Sequence, residues 1–143
     1  MTRYLLDTNI VSDVMRNPDG PVEQALREHA DTDIGISLIV KGEILFGLVR
    51  NANAKGKKRF DALLKAIEVW PMQEGVADIY GQVRAKMEMA GKKMGPNDMW
   101  IAAHSLSLDA VLVTDDRRFH SVPDLRVENW LREAAPMKEA GSD

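Results

Sequence analysis

Tyr4-Leu5-Leu6-Asp7-Thr8-Asn9 opens the chain, and Ala110-Val111-Leu112-Val113-Thr114-Asp115-Asp116 repeats its plan near the other end. Each is a short apolar run closed by an acid among turn-forming residues, the pattern of a strand that delivers a carboxylate at its carboxyl end. Between them, Ile34 to Ser37 and Val69-Trp70 read as further strands, the latter stopped by Pro71, and Arg126 to Glu128 as a weak last one. Longer helical patterns alternate with these strands: Asn9 to Met15, Pro21 to about Ala30, a segment carrying Val40, Glu43, Ile44 and Gly47, then Lys57 to Ile67, Glu74 to Ala90 and Pro96 to Leu108. Pro21 and Pro96 sit at first-turn positions, where proline is tolerated. Such alternation predicts βαβ units and an α/β domain with a mostly parallel central sheet.

At 143 residues the chain is expected to form one domain, long enough to bury roughly 70% of its unfolded surface. Residues 1–133 are assigned to that domain, and 134–143 to a frayed tail with little to pack. The absence of cysteine excludes disulfides, thiolate metal sites and thiol nucleophiles. No apolar stretch approaches membrane-spanning length and none resembles a secretory signal, so a soluble cytoplasmic protein without membrane contact is expected. A net charge of −3 argues against a general nucleic-acid coat protein. It leaves room for an enzyme that gathers acids in a pocket and bases on its rim.

Four acids stand where such a fold would gather them. Asp7 and Asp116 follow strands, and ligands of parallel sheets bind outside the carboxyl ends of strands. Asp98 lies in the first turn of its helix, in line with Ile101, Ala102 and Ser105, so it reaches the same edge. Glu43 shares a sheet-facing stripe with Val40, Ile44 and Gly47, where a carboxylate needs a partner. Taken singly, each has an ordinary role: Asp7 a helix cap, Asp98 a match for a helix dipole, Asp116 an Asx turn, Glu43 half of an ion pair. Together, four carboxylates at one sheet edge would repel unless cations neutralise them, and hard oxygen donors suit Mg²⁺ or Mn²⁺. Metal-assisted phosphodiester hydrolysis is the chemistry such a set supports.

The segments Leu5 to Asn9, Ser37 to Ile44, Gly95 to His104 and Leu112 to Phe119 resemble the four motifs of PIN-domain ribonucleases, and more narrowly the VapC-type toxins of bacterial type II toxin–antitoxin pairs. The resemblance spans essentially the whole domain, in the family's order and spacing. It implies a three-layer α/β/α sandwich and a toxic Mg²⁺-dependent endoribonuclease, with Mn²⁺ a plausible substitute. It assigns metal binding and catalysis to Asp7, Glu43, Asp98 and Asp116. Thr8, Asn9, Ser37 and Thr114, with Asp115, match polar positions that orient the acids or water; which of Asp115 and Asp116 points inward stays open. A cognate antitoxin that lays a helix into an apolar groove, an RNA substrate with tRNA as a candidate, and a homodimer are implied as partners.

Lys92 and Lys93 before the Asp98 helix, and Arg117 and Arg118 after Asp116, are the candidate phosphate contacts. A second cluster, Arg50, Lys55, Lys57, Lys58 and Arg59, divides evenly between RNA contact and a solvated face. Met87, Met89, Met94, Met99 and Trp100 are expected to fill core, and His104 to be structural. A phosphoryl-accepting receiver domain is disfavoured: no acidic pair follows the first strand and no lysine the strand at Val111 to Val113. A phosphatase with two aspartates one residue apart fails because Asn9 holds the second place. The alternative is a PIN-like module that binds RNA or a partner without catalysis.

Overall fold

The computed structural model describes residues 2–132. The expected domain end at residue 133 and the tail over 134–143 lie outside the described residues. Five strands, β1 (Arg3–Leu6), β2 (Asp33–Ser37), β3 (Glu68–Trp70), β4 (Val111–Val113) and β5 (Val127–Glu128), form one sheet in the order β3-β2-β1-β4-β5. Tyr4 pairs with Ile34 and with Val111, Ile36 with Val69, and Leu112 with Val127. Every pairing is parallel, so the sheet expected to be mostly parallel is parallel throughout.

The helices are α1 (Thr8–Arg16), α2 (Pro21–Glu28), α3 (Leu38–Arg50), α4 (Ala54–Leu64), α5 (Gly75–Met89) and α6 (Pro96–Leu108), with a 3-10 turn at Arg117–Ser121. The chain steps outward from β1 to β2 and β3, then returns past β1 to β4 and β5. Because parallel crossovers are right-handed, that reversal sends α1 to α4 to one face and α5 and α6 to the other. In the packing α1 touches α2, α3 and α4, and α5 lies along α6, while α3 also meets α6, where Asn97 bonds to Glu43. Covered on both faces, the central strands can be apolar without alternation, and Leu5, Leu6, Leu112 and Val113 are fully buried.

Gly35 in β2 marks a tight passage. A Cβ there would lie 2.8 Å from the Glu68 carbonyl oxygen and 2.9 Å from the Trp70 ring, so no larger residue fits without moving β3. The described helix that differs most from the sequence reading is α4. It starts at Ala54 rather than Lys57 and ends at Leu64 rather than Ile67. Asn53 caps it, its side chain accepting from the Gly56 N–H at 2.8 Å, and this draws the expected turn residues 54–56 into the first helical turn. Of the methionines expected in the core, Met87 and Met99 are buried, but Met89 at the end of α5 is exposed.

Candidate active site

The order of strands reverses at β1, so the crevice between the carboxyl ends of β1 and β4 is the switch point where ligands of open α/β sheets bind. The Asp7 N–H donates to the Val113 carbonyl at 2.9 Å and fixes the two strand ends level. Asp7 then caps α1, its Oδ1 accepting from the Thr8 N–H at 2.9 Å. Its Oδ2 accepts from the Thr114 hydroxyl at 2.7 Å. Asn9 ties the ends together further, donating from Nδ2 to Thr114 Oγ1 at 3.3 Å and accepting from the Asp115 N–H at 3.0 Å.

Asp7 is buried, and that burial pushes its carboxyl up to about 6. Hydrogen bonds from Thr114 and the Thr8 N–H pull the other way, and the nearby Asp98 and Glu43 charges add to the rise. Glu43 arrives from α3, whose N-terminus Ser37 caps by accepting from the Val40 N–H at 3.1 Å. The partners Glu43 needs are neutral: Thr8 donates its hydroxyl to Oε1, and Asn97 donates to Oε2 at 3.2 Å. Asp98 stands in the first turn of α6 and its carboxyl is also raised, by burial first; Arg118 opposes this, while Asp116 and Glu43 add to it.

Asp116 caps the 3-10 turn by accepting from the Arg118 N–H at 3.0 Å. The Arg118 guanidinium folds back over the acids, donating from Nε to Asp116 Oδ1 at 3.0 Å and from Nη2 to Asp98 Oδ2 at 3.1 Å. Its hydrogen bonds hold the Asp116 carboxyl below the usual range. Asp7, Glu43, Asp98 and Asp116 thus line one shallow depression of about 570 Å³, with Thr8, Asn9, Phe46, Asn97 and Arg118. A larger apolar cavity of about 670 Å³ lies elsewhere, between α1, α2 and α4. The chemistry follows the acids, not the volume.

Among the described residues, no three acidic or imidazole side chains stand close enough to form a ready-made metal cage. Instead Thr8 links α1 to Glu43 and Arg118 links Asp98 to Asp116, one guanidinium charge set against four carboxyls. The donors are nonetheless all hard oxygens, the type that suits a divalent cation, and the carboxyls of Asp7 and Asp98 are raised chiefly by burial, with neighbouring acids adding to the rise.

The ambiguity between the adjacent aspartates resolves geometrically. Asp116 faces the other acids, whereas the Asp115 carboxylate turns away to accept from Asn129 Nδ2 at 2.7 Å and Arg132 Nε at 3.2 Å. Asp115 meets the site through its main-chain N–H, which donates to Asn9 Oδ1. Of the candidate phosphate contacts, Arg118 is engaged with Asp116 and Asp98; Lys92, Lys93 and Arg117 are exposed. Asn97 and Phe46 escaped the sequence reading. Asn97 immediately precedes Asp98, a usable signal, but Phe46 is one apolar residue among many in α3. His104 is buried in α6 and held below the usual imidazole range by that burial, in keeping with a structural role.

Residues 4–125 match the PIN domain family model. The chain belongs to the PIN-domain family. This PIN domain is 31% identical to ribonuclease VapC2 of Rickettsia felis over 130 residues, covering 89% of this chain and 97% of the relative. It is 29% identical to the tRNA(fMet)-specific endonuclease VapC of Shigella flexneri over 135 residues, covering 91% and 99%. In three dimensions it resembles a chain from the crystal structure of VapBC2 from Rickettsia felis bound to a DNA fragment from its promoter, with a TM-score of 0.84 and 31% identity, covering 90% of this chain and 99% of that one.

Proposed function

We propose that this protein is the toxic member of a bacterial toxin–antitoxin pair, a Mg²⁺-dependent endoribonuclease, with Mn²⁺ able to substitute. The observation that carries the reading is the meeting of Asp7, Glu43, Asp98 and Asp116, from four separate elements, in one depression at the switch point. Its similarity to VapC ribonucleases over about nine-tenths of the chain supports the same activity. Asp7 and Asp98 would be the principal metal ligands, with Glu43 and Asp116 completing the set. When bound, the cation supplies charge neutralisation at the phosphate and a lowered pKa for the attacking water.

The chain's own residues do the positioning. Thr114 and the Thr8 N–H fix the Asp7 carboxylate in one orientation, and Thr8 and Asn97 hold Glu43 toward the depression. Asp116, at the rim, is placed to orient water for in-line attack, and Arg118 beside it can offer its guanidinium to a phosphate oxygen. No covalent enzyme intermediate is needed. tRNA is a candidate substrate, in keeping with the relative named for tRNA(fMet).

The partners follow the same proposal. The apolar cavity between α1, α2 and α4, lined by Val14, Leu26, Leu63 and Ile67, suits an apolar helix of an antitoxin. The solved relative is itself a VapBC assembly. Exposed Leu38, Phe46 and Val49 on α3 and Met89 on α5 suit a second copy of the chain. No helix among the described residues is long and apolar enough to cross a membrane, and the reading puts the protein in the cytoplasm with its substrate. The test is cleavage of labelled RNA by the purified protein in Mg²⁺ and in chelator. Cutting in Mg²⁺ alone is the expected result; equal cutting in chelator, or none in either, would overturn the proposal.

A further inference from the structure

A second groove, of about 400 Å³, opens between α1, α3 and the start of α4. Thr8 and Glu43 line both this groove and the acidic depression, so the two adjoin across that hydrogen-bonded pair. Beyond Glu43 its lining holds no further acid, and Arg16, Lys55 and Arg59 stand along it. Arg59 is fixed there by donating to the Met15 carbonyl at 3.1 Å. The neighbouring Lys57, outside the lining, is engaged with Asp61 at 2.9 Å. The floor includes Gly47, in the last turn of α3, where a Cβ would meet nothing within 4 Å. Packing therefore does not require glycine at that position, and a helix-interior glycine is destabilising relative to alanine. What the missing side chain provides is an open floor.

We propose that this groove is the path of the RNA strand leaving the acids, with Arg16, Lys55 and Arg59 each meeting a backbone phosphate. The inference rests on the ribonuclease reading and adds the direction in which the substrate lies. A cationic channel running out of an anionic centre fits a polyanion whose scissile phosphate sits at the acids while its neighbours are held beyond them. The substrate in this groove is a single strand, because unpaired RNA can thread between helices.

The test uses the full chain carrying Asp7→Asn to preserve the substrate, and a fluorescent single-stranded RNA oligonucleotide, with affinity read by anisotropy between roughly 50 and 200 mM salt. Adding Arg16→Ala, Lys55→Ala and Arg59→Ala should weaken binding and flatten the logarithmic salt slope by about 2, the value for three phosphates on a single strand. Gly47→Leu, whose added Cβ would meet nothing within 4 Å, should weaken binding severalfold with little change in slope, and gives a second reading that does not depend on the triple variant. An unchanged slope would overturn the proposal, and so would undiminished binding by Gly47→Leu. So would tighter binding of polyglutamate than of RNA through the same three residues, which would mark the groove as an acidic-peptide site. Mg²⁺-dependent RNA cleavage by the unmodified chain is measured alongside: its absence refutes the ribonuclease reading, whereas cleavage with an unaffected salt slope refutes only the groove.

Discussion

Asp7 carries opposing demands: it is buried and among other acids, yet its proposed role needs it ionised. Its folded-state carboxyl titrates at about 6 against 3.8 for the ordinary group, so its favourable contribution to folding is complete below the lower value and lost as pH rises through the upper one. Ionised, it opposes the fold by on the order of 3 kcal/mol. Asp7→Asn should therefore raise the metal-free unfolding free energy near pH 7 by about 1–2 kcal/mol, because the amide keeps only part of the hydrogen bonding, and the gain should vanish below about pH 4. Denaturant unfolding in chelator at both pH values checks this; a gain independent of pH would contradict it. The same scale separates the adjacent aspartates. Asp116→Asn should cost at least about tenfold more in RNA cleavage rate than Asp115→Asn, measured at saturating RNA, since only Asp116 faces the other acids. The sequence could show that an acid belonged there, but not which one. That choice is made by Asn129 and Arg132, which draw Asp115 away from a position more than a dozen residues later in the chain.

The position of Glu43 is a property of α3 as a whole. Ser37 ends β2 and caps α3, so one residue sets both the end of the strand and the angle at which the helix brings Glu43 to the site. Ser37→Ala should lower stability by about 1 kcal/mol through the lost cap. It should also slow cleavage, since Glu43 reaches Thr8 and Asn97 only from this helix entry. Thermal unfolding and turnover measured on the same preparation check both effects, and unchanged values would refute the cap's role. Strand and helix here are legible because the β2 run and the apolar stripe of α3 lie next to one another in sequence; the cap at Ser37 emerges only in the structure. The start of α4 is not legible in this way. Asn51 to Gly56 has the composition of a turn, and its last three residues become helical because Asn53 caps Gly56 while the side chain of Leu48 packs so closely that a Cβ at Gly56 would meet it at 2.7 Å. That tertiary contact outweighs local propensity.

Across the whole molecule, the gathering of the acids follows from strand order. Placing β1 between β2 and β4 brings Asp7 beside Thr114, residues more than a hundred apart in sequence, and the returning connection delivers α6 and Asp98 to the same edge. This was readable in advance because alternating strands and helices leave few topologies, and parallel sheets collect such residues at their carboxyl ends. The reach of Arg118 across Asp98 and Asp116 was not readable, since it depends on the course of the 3-10 turn after β4. In the proposed function these acids act together as one cation site. This is tested most directly by calorimetric titration of Mn²⁺ into the unmodified protein and into Asp7→Asn and Asp98→Asn near neutral pH. Saturable binding is expected of the unmodified protein, at least about tenfold weaker in each variant and weakening below about pH 6 as Asp7 takes up a proton. No saturable binding, or equal affinity in all three proteins, would contradict it.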